Sequence, residues 1–207
     1  MLMRKLRNYS KYIFVFSLLL LVLSGCKKEA KDNTSTTNGK VEAKVVRVID
    51  GDTLVVAIPK TTFNDGQATL KNLKYTVRLI GVDTPESKEN RRARLQAKEM
   101  GTTVRVIVHL GKRAKEFTET LLLEKKKGRK KIYKTVYLEF DKEPQDHYGR
   151  LLAYVWLPDG RMLNEILICN GFAQPLVVKP NTKYADRFQK CYEKALKEKR
   201  GLWRKGR

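Results

Sequence analysis

Hydrophobic and polar residues alternate through the middle of the chain in a pattern that predicts short β-strands. VEAKVVRVI at 41–49 is followed by Asp-Gly-Asp, a tight-turn signal, and then by TLVVAI at 53–58 as its hairpin partner. Three further strands are predicted at 73–80, 132–140 and 150–157, and the turn Pro-Asp-Gly closes the last of them. Five short strands of this kind are typical of a small β-barrel.

Helical patterns occupy most of the remaining sequence. Residues 91–100 lack helix breakers and end before a glycine. Residues 103–110 are rich in β-branched side chains, which is also compatible with a strand. In residues 111–123 the apolar side chains are three or four positions apart, which favours a helix. Two more helices are predicted at 162–171 and 183–199. The prediction is an α+β fold that is mainly β: a five-stranded, OB-fold-like β-barrel with about three packed α-helices.

The N-terminal segment has the pattern of an export signal. Four basic residues precede the apolar run at 13–23, which is short for a membrane span and has the length of a signal-peptide core. The run ends in Leu-Ser-Gly-Cys, which resembles the bacterial lipobox and makes Cys26 the expected site of lipidation. We expect a lipoprotein signal peptide at 1–25, a flexible tether at 26–40 and a folded domain at 41–207, exported and held by the lipid at the cell surface or periplasmic face.

Composition adds a strong basic bias to this picture. The chain has 44 Lys and Arg against 22 Asp and Glu, a net charge of +22, while 42% hydrophobic residues suffice for a core. Loss of residues 1–25, which contain four basic residues and no acidic one, would leave about +18. An excess of this size attracts polyanions such as nucleic acid or an anionic membrane surface.

Two cysteines remain in the predicted domain, Cys169 and Cys191. Export into an oxidising compartment would permit a disulfide between them. Both fall in predicted helices, where a buried free thiol is the commoner role. The sequence leaves both states open.

Four polar clusters interrupt the apolar framework. They are the turn at 50–53, the lone Arg78 in an apolar strand, the strand end at 83–86, and DHYGR at 146–150. Each has a bland explanation as a turn, a cap or a surface charge, although a buried Arg needs an anionic partner. Together they supply what a phosphodiesterase needs: carboxylates for a hard divalent cation, a base, and guanidinium groups for the phosphate.

The motifs VIDGDT, RLIGVDTPE and DHYGRLLAY, followed by PDGRMLNE and RGLW, resemble those of the thermonuclease (staphylococcal nuclease-like) family over most of residues 41–203. The resemblance implies an OB-fold barrel and a Ca²⁺-dependent endonuclease. Such an enzyme acts on DNA and RNA, with single-stranded or locally opened substrates favoured, and leaves 3′-phosphate ends.

The resemblance also assigns a metal site and a base. Asp52 and Asp83 would bind Ca²⁺ through their carboxylates, and Thr84 would bind it through its backbone carbonyl. Glu86 would orient or deprotonate the attacking water.

Four residues would contact the phosphate by the same resemblance. Arg78 and Arg150 would hold it and stabilise the transition state, and Tyr148 would donate to a terminal phosphate. His147 stands where founding members of the family carry a Lys, which implies a weaker or pH-dependent contact.

Two departures from the family pattern bear on substrate binding. Leu176 and Val178 replace two tyrosines that line the nucleotide pocket, and an aromatic platform is worth about 1–3 kcal/mol per stacked base. The segment at 90–110 is longer than in the shortest members and basic, which fits either a solvated helix face or a flap over the substrate.

Two other functions compete with catalysis. A degenerate barrel of this kind could bind nucleic acid without cutting it, and a basic surface adhesin could bind acidic envelope polymers. The full set of acidic and basic site residues favours the enzyme, because a protein that only binds has no need of it.

Overall fold

The computed structural model describes residues 36–37, 39–64 and 67–203, so the predicted signal peptide and Cys26 lie outside the described residues. The strands are β1 (Thr36–Thr37), β2 (Lys40–Asp50), β3 (Thr53–Asn64), β4 (Gln67–Leu79), β5 (Val82–Asp83), β6 (Leu123–Lys127), β7 (Lys130–Tyr133), β8 (Thr135–Glu139), β9 (Leu151–Trp156) and β10 (Gln174–Pro175). The helices are α1 (Arg91–Glu99), α2 (Val104–Leu122), α3 (Leu163–Cys169) and α4 (Ala185–Lys197), with a final 3₁₀ turn at Gly201–Trp203.

Five strands close into a ring in the order β2, β3, β4, β9, β8, since β8 also pairs with β2. All neighbours are antiparallel except β4 and β9, which run parallel. Within the ring each of the five strands has a neighbour on both sides, and the alternating apolar residues fill the interior. The predicted α+β, OB-fold-like barrel is confirmed, with four α-helices in the described part of the chain instead of about three.

The hairpin of β3 and β4 is longer than its apolar pattern indicates. Its ladder runs from Thr53 opposite Arg78 to Asn64 opposite Gln67, whereas the sequence predicts a loop between the two strands. Lys60 and residues 70–74 of this extension are exposed, so hydrophobic alternation gives little signal there.

The strand predicted at 132–140 is two strands that serve different sheets. Lys134 interrupts it: its N–H donates to the Leu122 carbonyl at 2.8 Å, and its carbonyl accepts from the Val45 N–H at 3.2 Å. β7 therefore pairs with β6 in a separate hairpin, while β8 enters the barrel. The β6 strand is absent from the sequence prediction.

Each segment with a helical pattern is a helix in the structure, and the open segment at 103–110 is helical from Val104 onward. The Thr103 hydroxyl caps α2 by accepting from the Val106 N–H at 3.4 Å. A disulfide joins Cys169 of α3 to Cys191 of α4, which closes the question that the sequence left open. Within the described residues, no helix has the length and apolarity needed to cross a membrane.

Two close approaches bring the β2–β3 turn against the end of β4 and the residue that follows β5. A Cβ on Gly51 would lie 2.8 Å from the Thr84 methyl group, so this contact requires glycine. The Leu79 N–H donates to the Asp52 carbonyl at 2.9 Å. These contacts place two acidic segments at one end of the barrel.

Candidate active site

A buried cluster of one arginine and two aspartates lies at this end of the barrel. Arg78 forms an ion pair with Asp52, and its Nη2 lies 3.3 Å from Asp83 Oδ1. Only 5% of each aspartate side chain and 16% of the arginine side chain are exposed. The anionic partner that the sequence requires for Arg78 is therefore a pair of carboxylates.

Asp52 is fixed in orientation by three further donors. Its Oδ2 accepts from the Thr84 N–H at 2.9 Å and from the Thr84 hydroxyl at 2.8 Å. Its Oδ1 accepts from the Thr53 hydroxyl at 2.9 Å. Because each oxygen has a directed partner, the carboxylate is preorganised rather than free to rotate.

Asp50 adds a third carboxylate that sequence reasoning missed as a site residue. Its oxygens accept from the Gly51 N–H at 2.9 Å and the Ser87 N–H at 3.2 Å. Burial, followed by repulsion from Asp52, raises the pKa of Asp50 to about 6. The signal was present in the Asp-Gly-Asp turn, where both acids flank one glycine.

Glu86 is held by the side-chain amide of Gln96 on α1, a contact that we call the Gln96 clip. The Gln96 side chain accepts from the Glu86 N–H and donates to the Thr84 carbonyl, both at 3.0 Å. The Glu86 carboxylate accepts from Asn90 Nδ2 at 2.7 Å. Gln96 is a second residue that sequence reasoning missed; its only signal was a polar side chain on the buried face of α1.

One arginine of the basic segment at 90–110 contacts the site. Arg92 Nη2 lies 3.0 Å from Asp83 Oδ2, and 41% of its side chain is exposed. Arg91, Arg94 and Lys98 are exposed, and Arg94 pairs with Glu89. The basic residues of α1 thus divide between the site and solvent.

Arg150, Tyr148 and His147 form a second group at the start of β9. Asp146 organises it, because Oδ2 accepts from Arg150 Nε at 2.7 Å and Oδ1 accepts from the Tyr148 N–H at 3.0 Å. Burial opposes ionisation of Asp146, but hydrogen bonds from the Arg150 backbone and side chain lower its pKa overall.

This second group presents itself to solvent beside the first. Tyr148 is 73% exposed, its ring lies 3.7 Å from that of His147, and the Arg150 guanidinium is 5.5 Å from the Tyr148 ring. The parallel register of Arg78 with Leu152 puts the two groups on adjacent strands. Among the described residues, the hydrogen bonds and ion pairs of the Arg150 side chain run to Asp146 and not to the carboxylate cluster.

Leu176 and Val178 follow β10, the strand that pairs with β5. The Leu176 N–H donates to the Gly81 carbonyl at 3.1 Å, so this stretch borders the segment that carries Asp83. Both side chains are exposed and aliphatic. They offer apolar contact at the rim of the site but no aromatic face for stacking.

The donor set fits a hard divalent cation such as Ca²⁺. Asp52, Asp83 and the Thr84 carbonyl offer oxygen ligands, and a carbonyl that accepts from Gln96 keeps a second lone pair. Burial is the main reason for the raised pKa of Asp50, and repulsion from Asp52 adds to it, so a bound cation would relieve the crowding of negative charge.

Comparison with known proteins agrees with this geometry. The sequence profile of the family described as "Staphylococcal nuclease homologue" matches residues 76–205. A thermonuclease of Staphylococcus hyicus is 36% identical over 192 residues, 92% of this chain and 90% of that protein. A thermonuclease of Staphylococcus intermedius is 34% identical over 92% of this chain and 94% of its own length. Endonuclease YncB of Bacillus subtilis is 31% identical over 86% of this chain and 71% of its own length. The chain belongs to the staphylococcal nuclease family and is a nuclease.

Proposed function

We propose that this nuclease is a Ca²⁺-dependent endonuclease that hydrolyses phosphodiester bonds of DNA and RNA to 3′-phosphate ends, outside the cytoplasmic membrane. The observation that carries the proposal is the buried cluster of Asp52, Arg78 and Asp83 with Glu86 fixed beside it. Hard carboxylate oxygens, a fixed carboxylate base and charged guanidinium groups are the parts that phosphodiester hydrolysis requires.

The residues of the chain divide the work by chemistry. Glu86, held through its backbone by Gln96, accepts the proton of the attacking water at a carboxylate oxygen. Arg150 and Arg78 bind the phosphate oxygens, because a guanidinium stays charged and meets two oxygens at once. The phenolic O–H of Tyr148 donates a hydrogen bond to a terminal phosphate, and His147 beside it adds a weaker contact.

Asp52, Asp83 and the Thr84 carbonyl would hold the cation. When bound, Ca²⁺ would polarise a phosphate oxygen and neutralise charge that builds on the phosphate. The position of Arg78 supports this assignment in one respect: it pairs with both aspartates and so brings the two carboxylates to the same point.

Removal of the metal tests the proposal. We expect the purified protein to degrade single-stranded DNA and RNA with added Ca²⁺ and to stop when a chelator is in excess. Analysis of the ends should find 3′-phosphate and 5′-hydroxyl groups. Digestion that continues unchanged in chelator would exclude the metal mechanism, and tight binding without digestion in Ca²⁺ would favour the protein that binds but does not cut.

Membrane attachment is a separate part of the proposal. The lipobox-like Leu-Ser-Gly-Cys supports lipidation of Cys26 after removal of residues 1–25. Expressed in a bacterium, the wild-type protein should incorporate labelled fatty acid and fractionate with membranes. The Cys26→Ser variant should lose both properties, and a label retained by that variant would contradict the assignment.

A further inference from the structure

The hairpin of β6 and β7 has a composition unlike the rest of the fold. Every residue from 125 to 131 is basic except Gly128, and all seven are exposed: Lys125, Lys126, Lys127, Gly128, Arg129, Lys130 and Lys131. The longer strand, β6, spans about 13 Å at about 3.3 Å per strand residue. The hairpin is an exposed arm with six positive charges.

Pairing within this arm places like charges opposite one another. Lys126 faces Lys131, and Lys127 faces Lys130 across the two-residue turn. Directly opposed like charges destabilise an antiparallel pair. In the described ion pairs, Lys131 is the one member of the six with a carboxylate partner, Glu119. The arm therefore carries repulsion that an external polyanion would relieve.

A short series of contacts connects the arm with the catalytic turn. Lys131 pairs with Glu119, which is next to Thr118 on α2. The Thr118 hydroxyl donates to the Gly51 carbonyl at 2.8 Å, between Asp50 and Asp52. The root of the hairpin is thus attached to the helix that supports the active-site turn.

We propose that the β6–β7 hairpin is an accessory site that binds the phosphate backbone of nucleic acid outside the cleavage site. The inference rests on the proposed nucleic-acid substrate. Unpaired lysines bind successive phosphates without sequence preference and release counterions. The arm holds a long substrate near the active site, and a short oligonucleotide cannot reach both places.

The position of the arm favours nucleic acid over an anionic lipid surface. Residues 125–131 contain no apolar side chain, so any contact with a bilayer would be limited to its headgroups. The arm also originates at α2, whose Thr118 contacts the active-site turn. Because α2 joins the arm to the active-site turn, we assign the arm to the nucleic-acid chain that the active site holds.

The test measures binding without cleavage. Fluorescence anisotropy of a long labelled single-stranded oligonucleotide is recorded against salt concentration in chelator, for the wild type and for Lys126→Gln/Lys127→Gln/Lys130→Gln. Three lost phosphate contacts should reduce the slope of log affinity against log salt by about 2. Affinity at low salt should fall at least tenfold by the same relation, about 1.4 kcal/mol.

A matched control removes the same charge elsewhere. Lys190, Lys194 and Lys197 are exposed on α4, and their triple replacement by Gln should change affinity less than twofold. Equal losses in the two variants would overturn the proposal, because net charge alone would then explain binding. Loss of binding to phosphatidylglycerol vesicles with unchanged oligonucleotide binding would overturn it in favour of a membrane contact.

Stability separates binding from a structural role. Because the opposed lysines repel, the triple Gln variant should unfold at the same or a higher urea concentration than the wild type at low salt. A Lys→Arg triple at the same positions should keep oligonucleotide affinity. If the Gln variant is less stable and the Arg variant also loses affinity, the lysines are structural and the proposal is wrong.

The measurements also distinguish this inference from the proposed function. Binding is measured in chelator, so a protein that binds through the arm but never cleaves would leave the inference intact and refute the endonuclease. In Ca²⁺, the Gln variant should raise KM for long DNA and leave kcat on a short oligonucleotide unchanged. A fall in that kcat would contradict an accessory role.

Discussion

Arg78 shows how one side chain sets the electrostatics of the site. Burial alone would lower the pKa of its guanidinium, but attraction and hydrogen bonding by Asp52, and then by Asp83, raise it above its ordinary value. The arginine stays charged and holds the two carboxylates together. Its place opposite Thr53 in the β3–β4 ladder puts this charge next to the Asp50–Asp52 turn.

Glu86 and Arg150 should each be indispensable for turnover. Glu86→Gln removes the proton acceptor, and Arg150→Ala removes a guanidinium from the phosphate. We expect kcat to fall about 100-fold or more in each variant, as for loss of a general base or a charge stabiliser. Steady-state kinetics on single-stranded DNA measures the effect, and near-wild-type rates in either variant would show that its role is wrong.

Gln96 should act on the site through two neighbours. Gln96→Ala leaves the Glu86 N–H and the Thr84 carbonyl without their partner, which should cost about 2 kcal/mol in the free energy of unfolding. Because the Thr84 carbonyl would be less fixed, Ca²⁺ affinity measured by titration calorimetry should also weaken.

The control for Gln96 lies on the same helix. Arg94→Ala removes an exposed residue that pairs with Glu89, and it should leave both stability and Ca²⁺ affinity unchanged. If Gln96→Ala loses stability but binds Ca²⁺ as tightly as the wild type, the clip serves folding alone.

At the scale of elements, two helices and two turns assemble the site. α1 supplies Gln96 and Arg92, and α2 packs directly against the loop that carries Glu86. A Cβ on Gly111 would lie 2.2 Å from the Glu86 carbonyl oxygen. The helix can approach the catalytic loop this closely only because this position has no side chain.

Gly111→Ala should therefore destabilise the protein, although alanine has the higher helix propensity. In an ordinary helix interior the change stabilises by about 1 kcal/mol. Here the added methyl must displace α2 or the loop, so we expect a loss of about 1–3 kcal/mol, as for overpacking. Urea unfolding measures it, with Lys112→Ala as the exposed neighbour control, and an increase in stability would contradict the packing argument.

At the scale of the whole molecule, a polar cluster joins the barrel to the C-terminal helix. The Glu139 carboxylate of β8 accepts from Trp156 Nε1 at 2.7 Å and from the Tyr184 hydroxyl at 3.0 Å, and it pairs with Lys183. Burial opposes its ionisation, but the hydrogen bonds from Lys183, Tyr184 and Trp156 lower the pKa of Glu139 below its ordinary value.

This cluster predicts a pH dependence of stability. Because the pKa of Glu139 is lower in the folded state, its contribution is complete above the ordinary value of 4.5 and is lost as pH falls through the folded value. Glu139→Gln should cost about 1–3 kcal/mol at neutral pH and progressively less in acid. Urea unfolding across pH checks this, and a constant difference between the two proteins would mean that the charge of Glu139 contributes nothing.

The hydrophobic pattern and the motifs determined much of this protein without tertiary information. Strand and helix positions follow from residues close in sequence, and the acidic and basic site residues follow from side-chain chemistry at fixed spacing. The barrel, the places of the helices and the nuclease family were predicted on these grounds and are confirmed, although the helices number four in the described residues instead of about three. The Ca²⁺ site and the residue roles stay predictions.

Only the tertiary structure decided which of these residues meet. The sharing of Arg78 by two carboxylates, the Gln96 clip, the disulfide and the break at Lys134 all join residues that are distant in sequence or belong to different elements. Such contacts depend on strand register and helix packing, which local pattern does not encode. The basic arm illustrates both contributions. Its charges can be read from the sequence, but lysine lies opposite lysine only because the two strands pair in this register.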